Sequence, residues 1–246
     1  MQTPTEFKLP IPASPENFDF FWNLDCDWFE PPNYRRGGWS GVIQYQLPVA
    51  GEASDVFIKR QENHITRNLR HCIRGIPTFQ REYNNIQRLR QHQIPTLEPI
   101  FFAAHRTKAI LITKSLTGYQ SLEDLSPEHL SLRERHSLII EIAKLLRQLH
   151  SHHFQHNCLY PKHIFIRQQP DHWEAKLIDL EKLRKRLFKK QAMVRDFSTL
   201  SRHLANAWST ADRMRFFKAY LGETKLSEKS KRTWRQLTKK MLQKRR

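Results

Sequence analysis

Four groups of residues in this sequence have types and spacings that suit phosphoryl transfer. The first is Gly37-Gly38-Trp39-Ser40-Gly41, leading into an apolar run that begins at Val42. Glycines let backbone amides approach phosphates closely, so Gly37, Gly38, Ser40 and Gly41 are candidates for a phosphate cradle; a simple Gly-Gly hairpin turn is the plainer reading. The second is Lys59 in Val56-Phe57-Ile58-Lys59, an otherwise apolar strand where an ammonium is costly unless paired. The third, Glu82, lies on the helical stretch that follows and offers a partner that would aim Lys59 at phosphates. Taken singly, an edge-strand lysine and a solvated helix glutamate explain both. The fourth is the loop from His156 to Ile166, followed by Leu177-Ile178-Asp179. A carboxylate ending an apolar strand is where a metal bridging phosphates needs it. The order of the four points to ATP with Mg2+.

These groups need elements to hold them. Val42 to Val49 and Asp55 to Arg60 read as a hairpin turning at Gly51 to Ser54, and Thr78 to Gln91 has helical spacing at Phe79, Tyr83, Ile86 and Leu89. Ile100 to Ala104 and Ala109 to Thr113 read as a strand pair. Arg133 to His153 is a long amphipathic helix, short strands follow at Ile164 to Arg167 and Glu174 to Ile178, and the chain is helical from about Arg195. The fold class is therefore α+β and bilobal. Residues 1–20, with Pro4, Pro10, Pro12 and Pro15, form an irregular lead-in; 21–117 form a lobe of antiparallel sheet plus one helix; 118–246 form a mostly helical lobe, with a hinge near Ser115 to Tyr119.

His156, Leu159 and His163 fall in register with the protein-kinase catalytic loop H-R-D-L-x-x-x-N, and Asp179 with the aspartate of D-F-G. More specifically, the chain resembles the lipopolysaccharide kinase (Kdo/WaaP) family, most closely its InaA-like branch. Arg35-Arg36-Gly37-Gly38-Trp39-Ser40-Gly41-Val42, Phe79-Gln80-Arg81-Glu82-Tyr83, His156 to His163 and Arg195 to Leu200 carry the resemblance, which runs from about residue 20 to 220. It implies a protein-kinase-like fold and ATP-dependent phosphorylation of sugars in the lipopolysaccharide core. Catalytic roles would fall to Lys59, Glu82, His156 and Cys158, metal roles to Asp179 and His163, and Asp196 would anchor the catalytic loop. A nucleotide would lie in a cleft between Lys59 and Asp179.

The pattern departs from the kinase consensus in places. Cys158 stands where the catalytic-base aspartate would be, and an unperturbed thiol is mostly protonated at neutral pH. The alternative function is thus a pseudokinase-like nucleotide-binding scaffold or stress-response regulator. His163 replaces the metal-binding asparagine, and imidazole suits transition metals better than magnesium. Glu181, in place of the D-F-G glycine, adds a second carboxylate or faces solvent.

The chain has 246 residues with a formal charge of +18, and 39% are hydrophobic, enough for a sizeable core and for attraction to polyanions. Six of the nine residues from Lys182 to Lys190 are basic, a cationic lip that suits an acidic sugar or lipopolysaccharide-core acceptor. Lys225 to Arg246 carries ten Lys/Arg against Glu228 alone, either a helix resting on the anionic inner membrane or one packed with its charged side outward. No recognisable nucleic-acid module accompanies the charge, so nucleic acid is an unlikely partner. Three scattered cysteines, no leader-like N-terminus and no bilayer-length apolar run place the protein in the bacterial cytoplasm, peripheral on the membrane at most. His150, His152, His153 and His156 lack the spacing of a zinc site.

Overall fold

A computed structural model describes residues 9–35, 37–49, 51–68, 71–204 and 208–243. Arg36 of the glycine-rich motif, the first eight residues and 244–246 of the basic tail lie outside the described residues. The chain divides into two compact units, 1–91 with 96–117, and 92–95 with 118–246.

Within the stretch expected to be irregular, Pro15–Asn23 forms helix α1, because Pro15 sits in its first turn, where a missing N–H costs nothing, and the Ser14 hydroxyl caps Asn17 N–H at 3.2 Å. Five antiparallel strands follow in spatial order β1-β2-β3-β7-β6: β1 Glu30–Arg35, β2 Gly38–Val49, β3 Glu52–Glu62, β6 Pro99–His105 and β7 Lys108–Lys114. Pro31 and Pro32 lie inside β1, which tolerates them as an edge strand. The β2–β3 turn is tighter than expected, with Val49 opposite Glu52 and Gly51 at φ +87°. A further hairpin, β4 Ile65–Asn68 and β5 His71–Pro77, precedes α2, Thr78–Gln91.

The two-residue period of β3 sorts its side chains. Val56 and Ile58 join Phe21, Ile43, Leu47, Ile100, Phe101, Ile110 and Ile112 in the core beneath α1. Arg60 points the same way and is buried, its Nη1 donating to the carbonyls of Trp22 and Leu24 at 2.6 and 3.0 Å; it thereby satisfies acceptors left open at the C-terminal end of α1. Lys59 and Gln61 fall on the alternate positions.

The second unit is built on α3, Leu132–Ser151, started by a capping box between Ser131 and Glu134. Its apolar face, Leu138, Ile142, Leu145, Leu146 and Leu149, is buried. The strand β10 Ile164–Gln168 pairs with β11 Trp173–Leu177 on one side and the short β8 Gln120–Ser121 on the other, while β9 Phe154–Gln155 pairs with β12 Arg184–Lys185. Three helices complete it: α4 Lys189–His203, α5 Thr210–Leu221 and α6 Glu228–Gln243. Thus α4 begins six residues before the expected Arg195, inside the basic run. Among the described residues no helix is long and apolar enough to cross a membrane.

Candidate active site

In the first unit, Lys59 Nζ lies 2.7 Å from Glu82 Oε1. The pairing follows from local structure. Gln61, two residues beyond Lys59 on β3, accepts the Phe79 N–H at 2.7 Å and donates to the His64 carbonyl at 2.6 Å, tying the first turn of α2 to the strand. One turn later, Glu82 arrives at Lys59. The glutamate is 2% exposed and the lysine 19%, so the carboxylate is enclosed while the ammonium keeps a route outward. Gln61 was missed in the sequence; no periodicity marks a strand residue that caps a helix.

The glycine-rich segment needs a correction. Gly38, Ser40 and Gly41 are not a free loop but residues of β2: Gly38 and Ser40 pair with β1, and Ser40 and Gly41 pair with β3. Two of the glycines are explained by packing. A Cβ at Gly38 would collide with the Asn63 and Glu62 backbone, and one at Gly41 would meet the Trp28 ring at 2.5 Å. Gly37, at φ +77° in the exposed turn with nothing near its missing Cβ, retains the freedom expected of a phosphate-approaching residue.

In the second unit, His156, Cys158, His163 and Asp179 come together. The Asp196 carboxylate, from α4, accepts the backbone N–H groups of His156 and Asn157 at 2.8 and 3.0 Å, and His150 Nε2 at 3.1 Å. Asn157 takes the left-handed conformation at φ +69° to present its amide. The Tyr220 phenol, pushed up by burial and by Asp196, stays protonated and donates to His150 Nδ1 at 3.1 Å. With 70 residues between them and neither in a motif, His150 and Tyr220 are not marked as anchors by the sequence. His156 Nε2 donates to the Ile178 carbonyl at 2.9 Å, and burial lowers its pKa, so the ring is neutral and ties the loop to the strand that ends at Asp179.

Asp179 adopts φ +55°, ψ +61°, with its side chain 33% exposed. His163 Nδ1–H donates to the Cys158 carbonyl at 2.8 Å, which turns Nε2 to within 3.2 Å of Asp179 Oδ2. Cys158 is buried, and that burial pushes its thiol up, opposed by a hydrogen bond with Lys182, whose ammonium also meets Glu181 Oε1 at 3.2 Å. Glu181 therefore pairs with a lysine. The remaining histidines have other partners: His152 packs on His92, and His153 Nδ1–H donates to the Leu187 carbonyl.

A family model described as lipopolysaccharide kinase (Kdo/WaaP) matches residues 19–220. The chain belongs to that family. Escherichia coli K12 "Protein InaA" is 30% identical over 204 residues, 80% of this chain and 92% of InaA. Among solved structures, one of WaaP in complex with acyl carrier protein superposes with a TM-score of 0.69 at 17% identity, covering 93% of this chain and 90% of that one. An aminoglycoside-3'-phosphotransferase of type VIII follows at 0.54 and 14%, covering 89% and 95%. The fold is thus protein-kinase-like, and the Kdo/WaaP family is one of kinase-like phosphotransferases. Such a family implies ATP, usually with Mg2+. Magnesium takes oxygen ligands and commonly uses only one or two carboxylates, completing its shell with water and phosphate. The one-third exposed Asp179 carboxylate fits that need; the imidazole of His163 suits it less and lies where it can orient the carboxylate. Among the described residues no three His, Cys, Asp or Glu side chains cluster as metal ligands.

Proposed function

We propose that this member of the Kdo/WaaP family is an ATP- and Mg2+-dependent phosphotransferase whose acceptor is a hydroxyl of an acidic cell-envelope glycan, of the lipopolysaccharide-core type. The observation that carries the reading is the enclosed Lys59–Glu82 pair at 2.7 Å. A buried carboxylate fixes the ammonium and would leave a positioned cation for the α/β-phosphates. Asp179, oriented by His163, would hold Mg2+, which neutralises charge on the phosphates. His156 and Asp196 hold the intervening loop still. Gly37 would approach phosphate at the hairpin turn. The basic residues from Lys182 to Lys190 would draw in a phosphorylated acceptor.

Purified protein should label an envelope glycan fraction from ATP, and Lys59→Ala or Asp179→Asn should abolish the labelling. Equal labelling by both variants would remove these residues from the reaction.

A second reading, a nucleotide-binding scaffold, is favoured by one observation: Cys158 is buried where the catalytic-base aspartate would stand, and burial pushes its thiol up, so it stays protonated and cannot accept the acceptor's proton. A general base contributes roughly 10²–10⁴ in rate. Cys158→Asp should therefore raise turnover at least about tenfold if proton removal limits the reaction. Thermal stabilisation by Mg-ATP without turnover, in both wild type and Cys158→Asp, would favour the scaffold.

A further inference from the structure

The basic run after Asp179 holds something its charge alone does not suggest. Leu187 is 84% exposed and Phe188 63% exposed, side by side in the short link between β12 and α4. On one side stand Arg184 and Lys185, on the other Lys189 and Lys190, all exposed. No acidic residue occurs between Glu181, which pairs with Lys182, and the buried Asp196.

The backbone of this link is held in place. Arg184 and Lys185 pair with Gln155 and Phe154 across the β12–β9 ladder. Arg186 N–H donates to the His153 carbonyl at 2.8 Å, its Nε to Gln155 Oε1 at 2.6 Å, and the His153 ring N–H donates to the Leu187 carbonyl at 3.0 Å. These bonds fix the course of the link, and the Leu187 and Phe188 side chains are left exposed. Lys190 Nζ reaches Gln236 Oε1 at 3.4 Å, which sets the link beside α6 and its cations.

Two adjacent large apolar side chains facing water are unfavourable for a protein that stays in water. Fixed cations on both flanks select among the surfaces that could cover them. A neutral protein partner would have to desolvate four charges, whereas an anionic bilayer accepts the apolar pair below its headgroups and the cations at them. We propose that residues 184–190 are a docking wedge for an anionic lipid bilayer, with Leu187 and Phe188 entering the headgroup–acyl boundary.

The test uses the full chain and needs no turnover, so it stands or fails apart from the proposed phosphotransfer. Sedimentation with vesicles of mixed phosphatidylglycerol and phosphatidylethanolamine should capture the protein; vesicles of phosphatidylcholine should not. Leu187→Ser with Phe188→Ser, which leaves the charge intact, should lower the partition coefficient about tenfold or more. Lys189→Gln with Lys190→Gln should lower it as well, and added salt should narrow the gap between this variant and the wild type by screening the lysines that remain in the latter. All four side chains are exposed, so unchanged melting curves will certify folding. Equal vesicle binding by the double-serine variant would reduce the effect to bulk charge and overturn the wedge. Failure of the wild type to bind would overturn it outright. Loss of a concentration-dependent oligomer in the serine variant, seen by light scattering without vesicles, would assign the apolar pair to a second copy of the chain instead.

Discussion

Two aspartates of the second unit, Asp196 and Asp179, show how one residue type is put to opposite uses. Asp196 is 1% exposed and receives three donors, the His156 and Asn157 amides and His150. Every lone pair that matters has an internal partner. Asp179 is one-third exposed, held in a left-handed backbone conformation, and meets His163 along one edge. The first carboxylate is consumed by the fold, and its reward is a fixed loop. The second leaves one-third of its side chain exposed, in a backbone conformation that most residues avoid. In the proposed phosphotransfer, the buried aspartate would hold the loop and the exposed one would hold the metal.

The comparison is broken most easily at Asp196. Its removal strands two backbone N–H groups and an imidazole in a buried place, and each buried donor without an acceptor costs about 1–3 kcal/mol. Asp196→Ala should therefore lose about 3–5 kcal/mol in denaturant unfolding. Asp196→Asn should fall in the same range, because an amide presents one acceptor oxygen where donors approach both. A loss under about 1 kcal/mol would mean that the loop is held by something else.

Most of this architecture is legible in the residues. The span Thr78 to Gln91 is read residue for residue from its apolar spacing and from the prolines that follow, and the pairing of β2 with β3 from alternation around Gly51. Lys59 and Glu82 are found because an isolated charge in an apolar strand demands a partner. What stays hidden is what depends on distant neighbours. That Gly38 and Gly41 leave room for the Asn63 backbone and the Trp28 ring, where a Cβ would collide, is visible only in the fold. Arg60 looks like the charged end of a strand, yet it closes α1 from within. Tyr220 and His150 share a hydrogen bond that no local pattern encodes.

A third carboxylate, Asp212, sharpens the contrast with an intermediate case. Burial alone would raise its pKa, but the Ser209 hydroxyl and N–H, together with Arg135 at 2.6 Å, outweigh that and hold it below its ordinary 3.8. A depressed acid contributes stability that is complete above the unfolded value and disappears as pH falls through the folded one. The start of α5 should therefore weaken as pH drops below about 4, by about 1 kcal/mol for the cap and its ion pair. Thermal melts of the wild type and Asp212→Asn should converge in that window and separate above it. Curves that stay parallel throughout would detach Asp212 from the acid response.

The smallest effect on stability belongs to Asp179, and it is the sharpest test of the opposing use. Asparagine tolerates the left-handed region about as well as aspartate, so Asp179→Asn should change unfolding free energy by less than about 0.5 kcal/mol. Alanine lacks that tolerance, and Asp179→Ala should lose about 1 kcal/mol through its backbone alone. A carboxylate kept for a ligand should nevertheless show its role when the ligand is offered. Mg-ATP should raise the melting temperature of the wild type and leave that of Asp179→Asn unmoved, although the two apoproteins melt together. If Asp179→Asn instead destabilised the apoprotein as strongly as Asp196→Ala, the His163 contact would be a structural anchor of the same kind. The distinction between a carboxylate that builds and one that binds would then be lost.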